Sequence, residues 1–220
     1  METSLNFSAV IFDLDGTLLD TLSDIAAAGN SALERMGYPS HKVDAYRKFV
    51  GNGARKLAWR VLPGENRNQD DYEKFVPVLL EEFAKELNKH VCPYGGIPEV
   101  LASFTEAGKK IAILSNKPHD YAVAAVKQYL PNIKFEAVYG GRKEFPLKPE
   151  PEAALAIAEK MGVAPHQTLF VGDTDVDIKT GVNAGMISVG AAWGFRGESE
   201  LVHAGANIVL DTPADLVSLL

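Results

Sequence analysis

A single short apolar run, Ala9–Phe12, stands alone near the start of the chain, and every other run of comparable quality lies beyond Pro93. The first run ends in acidic residues and Gly16, the pattern of a buried strand opening onto a loop. After Pro93, strand and helix signals alternate. Ile97–Ala107 predicts a helix stopped by Gly108, Lys110–Leu114 a strand, Asp120–Tyr129 a helix and Ala137–Tyr139 a short strand. Pro151–Met161 predicts a helix ending at Gly162, Thr168–Val171 a strand, Val176–Ala184 a helix and Ile187–Val189 a strand. Asn207–Leu210 reads as an edge strand and Pro213–Leu219 as a last helix. Such alternation predicts a parallel sheet covered on both faces.

The stretch between is of a different kind. Leu22, Ile25, Ala26, Gly29, Ala32, Leu33 and Met36 share one helical face, and Gly37 comes next, where helices commonly stop. Val43, Tyr46, Phe49 and Val50 suggest a short helix, and Leu57, Ala58, Val61 and Leu62 another. Tyr72, Phe75, Val76, Leu79, Phe83 and Leu87 suggest a longer one, bent near Pro77. The expected organisation is therefore an α/β core from residues 1–19 and 90–220, a Rossmann-like, doubly wound and mainly parallel sheet, with a helical domain from residues 20–89 inserted into it. A chain of 220 residues with 46% hydrophobic content has enough apolar material for this.

Ligands of open α/β sheets bind outside the carboxyl ends of the strands. After the first strand come Asp13, Asp15, Gly16 and Thr17; after Lys110–Leu114 come Ser115, Asn116 and Lys117; after Thr168–Val171 come Gly172, Asp173 and Asp177. Lys148 precedes the Pro151 helix. Carboxylates, a hydroxyl, an amide and lysines thus gather at one edge. Two like charges about 4 Å apart cost about 4 kcal/mol at an effective dielectric of about 20. A hard divalent cation with oxygen ligands removes that cost, and magnesium commonly takes one or two carboxylates with substrate phosphate and water. Ser115 can donate to a phosphate oxygen and Lys148 can supply a point charge. Asp13 and Asp15, two apart, suit a nucleophile and a general acid and base. Asp173 and Asp177 lie on one side if a helix has begun between them; Asp175 reads as solvated or capping.

At these residues the chain resembles the haloacid dehalogenase superfamily. Asp13-Leu14-Asp15-Gly16-Thr17, Ser115, Lys148, and Gly172-Asp173 with Asp177 stand in the order of its four motifs. The first of these is expected by chance in about one of several hundred such chains. The resemblance implies that Asp13 attacks phosphorus, and that Asp15 protonates the leaving group and then deprotonates the hydrolytic water. It implies Mg2+ held by Asp13, the main-chain carbonyl of Asp15, and Asp173, with Asp177 orienting the metal shell and Ser115, Asn116 and Lys148 binding the phosphoryl group. An aspartate at position 15 favours phosphatase or phosphomutase chemistry within the superfamily. The helical block matches the family's small cap, which closes over the site and excludes water. Within it, Gly51 and Gly53 allow tight turns near a ligand, and Arg55 can reach a second anionic group.

The loop around Gly51, together with Pro93-Tyr94-Gly95-Gly96 and Ala192-Trp193-Gly194-Phe195, most resembles the phosphoglycolate phosphatase group. The implied reaction converts 2-phosphoglycolate to glycolate and phosphate, a step of carbohydrate metabolism. The rival functions are a β-phosphoglucomutase-type phosphomutase, a pyrophosphatase or nucleotidase, and a non-catalytic regulator that kept the fold. A formal net charge of −7 argues against nucleic acid as a partner. The N-terminus shows no signal-peptide pattern and no stretch has the length to span a bilayer, so a cytoplasmic enzyme, monomeric or a small homo-oligomer, is expected. Cys92 reads as a lone structural thiol, His41, His90, His119, His166 and His203 fall in no ligand spacing, and Trp193 and Phe195 read as packing residues, with lining of the site as the alternative.

Overall fold

The computed structural model describes residues 5–64, 67–86 and 89–220. Met1–Ser4, the start of the N-terminal stretch that shows no signal-peptide pattern, and Leu87, the last position of the pattern that begins at Tyr72, lie outside them. The chain divides into two compact units, one made of the residues up to Asp20 with Pro93–Leu220, the other of Thr21–Cys92.

The first unit is built on a six-stranded sheet. Its strands are β1 (Ala9–Phe12), β4 (Lys110–Pro118), β5 (Ala137–Gly141), β6 (Thr168–Gly172), β7 (Ile187–Ala191) and β8 (Ile208–Leu210), in the spatial order β5-β4-β1-β6-β7-β8. All described pairings are parallel. Ala9–Phe12 lies in register with Lys110–Ile113 on one side and Thr168–Val171 on the other. Every residue of β1 and β6 is buried, as expected of strands covered on both faces. The helices are α5 (Ile97–Glu106), α6 (His119–Tyr129), α7 (Glu152–Met161), α8 (Asp175–Asn183) and α9 (Glu198–His203). On one face, Ala154, Ile157, Ala158 and Met161 of α7 pack with Ile11, Ala112, Leu114 and Phe170 of the sheet. From β1 the chain moves outward to β4 and β5, and from β6 it moves the other way to β7 and β8. The loops leaving β1 and β6 therefore diverge, which opens a crevice at a topological switch point.

The second unit is helical. It holds α1 (Leu22–Arg35), α2 (Tyr46–Phe49), α3 (Gly53–Val61) and α4 (Gln69–Glu86), which contains Pro77. Leu22, Ile25, Ala26, Gly29, Ala32 and Leu33 form the buried face of α1, which packs against α4. Arg35 ties the two through Glu81 and Glu82. Two-residue strands β2 (Leu19–Asp20) and β3 (Cys92–Pro93) form a separate small sheet.

Several elements depart from expectation for physical reasons. β4 runs on to Pro118, past the expected end at Leu114, and its register with β5 shifts between those two residues. Ser115, Asn116 and Lys117 thus sit in an irregular extension of the strand rather than in a loop after it. The Val43–Val50 pattern divides into a 3-10 turn, Val43–Ala45, and then α2, and Pro213–Leu219 is 3-10 rather than α-helical. Helix α9 has no counterpart in the sequence pattern because only Leu201 of its six residues is buried, which leaves no period to read. Among the described residues no helix is long and apolar enough to cross a membrane.

Phe170 is fully buried in the strand that leads to Asp173. Phe170→Ala is expected to destabilise the first unit by about 3–5 kcal/mol, a transfer loss plus the cavity left behind. The urea unfolding midpoint checks this, and a midpoint equal to wild type would contradict the packing described.

Candidate active site

Three chain segments converge on the crevice between β1 and β6. The Asp13 N–H donates to the carbonyl of Val171 at 2.8 Å, so the residue leaves β1 still tethered to the neighbouring strand. Asp173 comes directly after β6. Asp177 is the third residue of α8 and closes a capping box with Thr174, whose N–H and Oγ1 donate to Asp177 Oδ2 at 3.0 and 2.6 Å. One oxygen from each of Asp13, Asp173 and Asp177 lies within 4.8 Å of the other two, and all three residues are buried.

Lys148 enters this cluster from the segment before α7. Its Nζ donates to Asp13 Oδ1 at 2.7 Å and to Asp177 Oδ1 at 2.6 Å, and the side chain is only 2% exposed. Asn116 fixes the main chain of this lysine. Its Oδ1 accepts from the Lys148 N–H at 2.9 Å, and its Nδ2 donates to the Lys148 carbonyl at 3.1 Å. The Asn116 carboxamide therefore holds the main chain of Lys148, a role additional to the phosphate binding expected from sequence. Ser115 is buried beside it, its Oγ accepting from the Lys117 N–H at 3.2 Å. Lys117 has a separate partner: its Nζ lies 2.9 and 3.2 Å from the two oxygens of Asp15.

Asp173 is held from a fourth direction. Its Oδ1 accepts from Thr17 Oγ1 at 3.1 Å and its Oδ2 from the Phe195 N–H at 2.8 Å, while Trp193 Nε1 donates to the Thr17 carbonyl at 3.0 Å. Trp193 and Phe195 thus brace the site as well as pack. The approach is close enough to require glycine. A Cβ on Gly16, whose φ is +93°, would fall 2.4 Å from Asp173 Oδ2, and one on Gly194 would fall 2.3 Å from both Asp173 Cβ and the Gly16 carbonyl. The sequence carries a signal for Thr174, since Thr174-x-x-Asp177 is a capping-box pattern. The hydrogen bonds of Trp193 and Phe195 and the Lys117–Asp15 pair leave none. Gly51, Gly53 and Arg55 belong to the second unit, where the two glycines take φ of +111° and +81° and Arg55 is exposed on the first turn of α3. Asp175, outside the cluster, pairs with Lys179.

The charges do not balance. Three buried carboxylates face one ammonium, leaving an excess of about two negative charges where desolvation makes charge costly. Burial pushes Asp13 up to about 7; Lys148 opposes the rise, and Asp177 and Asp15 add to it. Burial likewise holds Asp173 well above the usual carboxylate range, reinforced by Asp177 and Asp13. Burial works against the charge of Lys148, but Asp13 and Asp177 outweigh it and hold the ammonium above the ordinary lysine range. A hard divalent cation coordinated by oxygen fits this donor set, because it neutralises the excess that the lysine leaves. Among the described residues no histidine or cysteine joins the cluster.

The sequence and the fold have known counterparts. Residues 10–191 match the haloacid dehalogenase-like hydrolase family. A phosphoglycolate phosphatase of Pseudomonas putida is 33% identical over 96% of this chain and 78% of its own length. An N-acetylmuramic acid 6-phosphate phosphatase of Pseudomonas aeruginosa is 30% identical over 98% of this chain and 96% of its own. A crystal structure from Lactobacillus delbrueckii subsp. bulgaricus, provisionally assigned as a phosphoglycolate phosphatase, superposes with a TM-score of 0.92 at 26% identity, covering 98% of this chain and 99% of that one. The chain belongs to the haloacid dehalogenase-like hydrolase family.

The charge excess and the close packing each have a testable consequence. Carboxylates with raised folded-state values bind more protons in the native than in the unfolded chain, so metal-free stability falls as pH rises from about 4 through about 7. Saturating magnesium is expected to raise Tm more at about pH 8 than at about pH 5; equal increments would contradict the charge excess. Gly194→Ala forces either the loop or Asp173 to move, and is expected to weaken magnesium binding about tenfold by calorimetry. Unchanged affinity would remove the 193–195 loop from the support of the site.

Proposed function

We propose that the protein is a magnesium-dependent phosphomonoesterase that works through an aspartyl-phosphate on Asp13, with 2-phosphoglycolate as its substrate. The observation that carries this reading is the single buried lysine joining Asp13 to Asp177 beside Asp173. Phosphoryl transfer depends chiefly on positioning and charge neutralisation, and both are built into this cluster.

Asp13, Asp173 and the main-chain carbonyl of Asp15 would hold magnesium, with Asp177 outside them. When bound, the ion supplies positive charge to the phosphoryl oxygens and to the carboxylates around it. A carboxylate oxygen of Asp13 attacks phosphorus as the ester P–O bond breaks, and Asp15 gives its proton to the departing alkoxide oxygen. Water then attacks phosphorus, Asp15 takes the proton back from it, and the bond from Asp13 to phosphorus breaks to release inorganic phosphate. Lys148 places its ammonium at Asp13, and Asn116 keeps Lys148 in place from the main chain. Ser115 donates its hydroxyl to a phosphoryl oxygen. Lys117 holds the carboxylate of Asp15.

The helical unit is read as the cap, with Gly51 and Gly53 shaping a loop and Arg55 taking the carboxylate of the substrate. The phosphoglycolate phosphatase of Pseudomonas putida supports this substrate, and the N-acetylmuramic acid 6-phosphate phosphatase of Pseudomonas aeruginosa makes that sugar phosphate its principal competitor.

Phosphate release is the test. Phosphoglycolate, N-acetylmuramic acid 6-phosphate, other sugar phosphates, nucleotides and pyrophosphate are compared with and without magnesium. Turnover is expected to be highest with phosphoglycolate, to require magnesium, and to fall about a thousandfold or more in Asp13→Asn. Preference for another ester would replace the substrate and keep the chemistry. Turnover retained in Asp13→Asn would refute the nucleophile, and dependence on a sugar bisphosphate would point to a mutase.

A further inference from the structure

The loop between α2 and α3 is organised by a residue the catalytic reading does not use. Arg60, on the last turn of α3, directs its guanidinium back at that loop. Its Nη1 donates to the carbonyls of Phe49 at 2.9 Å and Val50 at 3.3 Å, and its Nη2 to Asn52 Oδ1 at 2.7 Å. The two carbonyls lie at the C-terminal end of α2, where helix carbonyls lack intrahelical partners. Asn52 is the N-cap residue of α3 and makes no side-chain cap bond; it gives its oxygen to Arg60 instead.

A planar fork is needed for this. Three acceptors spread over four residues are met by one rigid guanidinium, a geometry that a lysine ammonium cannot match. The loop also needs an external tie. Gly51 and Gly53 both take positive φ, and without side chains they contribute no packing of their own. The backbone of Arg60 is itself held, because Arg67 Nη2 donates to the carbonyls of Arg60 at 3.2 Å and Leu62 at 3.0 Å. The buried face of α3 is formed by Leu57, Ala58 and Val61, so the helix is anchored independently of this fork. Arg55 stands on the first turn of α3, two residues beyond Gly53, and so directly follows the loop in sequence.

We propose that Arg60 is a positioning residue for substrate specificity, which fixes the Val50–Gly53 loop next to Arg55 in sequence without touching substrate. This rests on the reading of Arg55 as the group that takes the second anion of the substrate. Misplacing a binding group by about 1 Å can cost about a hundredfold in rate, so a loosened loop is sufficient to change discrimination.

The experiment compares kcat/KM for 2-phosphoglycolate with that for ethyl phosphate, an ester of similar size with no carboxylate. It uses the full chain with magnesium, as wild type, Arg60→Met, Arg60→Lys and Arg55→Ala. The ratio of the two values is expected to fall about tenfold in Arg60→Met, chiefly through KM for phosphoglycolate, and to fall less in Arg60→Lys. A general loss of folding lowers both esters together and leaves the ratio unmoved. If Arg60→Met yields no folded protein, Arg60→Lys is read in the same way. A ratio unchanged in the Arg60 variants but lowered in Arg55→Ala would overturn the role of Arg60 alone. A ratio unchanged in Arg55→Ala, or a wild type indifferent to the carboxylate, would overturn the reading beneath it.

Discussion

Three buried carboxylates around one buried ammonium set the terms for the rest of the structure. Asp13 is brought from a distant segment to Asp173 and Asp177, which share one strand-to-helix junction, and Lys148 joins two of the three. Such an assembly is unstable on its own, since desolvation and mutual repulsion both disfavour it. It persists because each member is held from outside the cluster. Asp13 is tied to β6, Asp177 to the first turn of α8, Asp173 to Thr17 and the Phe195 N–H, and Lys148 to Asn116. The parallel sheet makes this feasible, because the loops from its central strands leave in opposite directions and open the crevice between them.

The same imbalance gives the site its use. An excess of negative charge on buried carboxylates is relieved by a hard cation, and a phosphoryl group can then be received among fixed positive charges. The two lysines divide the work between them. Lys148 is buried and serves the cluster of Asp13 and Asp177, whereas Lys117 serves Asp15, whose carboxylate is the more exposed. Asp13 and Asp15 thereby sit in two different electrostatic surroundings, which suits the proposed division into attack and proton transfer. Support reaches beyond the reacting groups, as glycine at positions 16 and 194 lets main chain lie directly against Asp173.

Much of this is legible in the sequence. β1 has the predicted bounds, since four consecutive apolar residues with Asp13 directly after them leave no other reading. Helix α1 and its stop at Gly37 reflect a clean 3.6-residue period. Asp13, Asp15 and Asp173 can be collected from the positions just beyond β1 and β6, because the parallel topology delivers strand ends to one edge. The features that sequence patterns do not reveal depend on long-range hydrogen bonds. Asn116 stands in sequence among the phosphate ligands, but its carboxamide meets the main chain of Lys148, a pairing that no local pattern encodes. The bond from Trp193 to Thr17 joins residues 176 positions apart, so no local pattern signals it. Arg60 carries an ordinary helical charge in sequence, and only the structure shows it turned back onto its own loop.

The central claim is that Asp13 becomes covalently phosphorylated, and rapid acid quenching with peptide mass spectrometry addresses it most directly. Protein mixed with magnesium and excess phosphoglycolate, quenched during the first turnovers, is predicted to carry a phosphoryl group on the peptide containing Asp13. The adduct should disappear as substrate is exhausted. Turnover with no adduct on that peptide, together with inversion of configuration at phosphorus, would mean that water attacks the ester in a single step and would contradict the account.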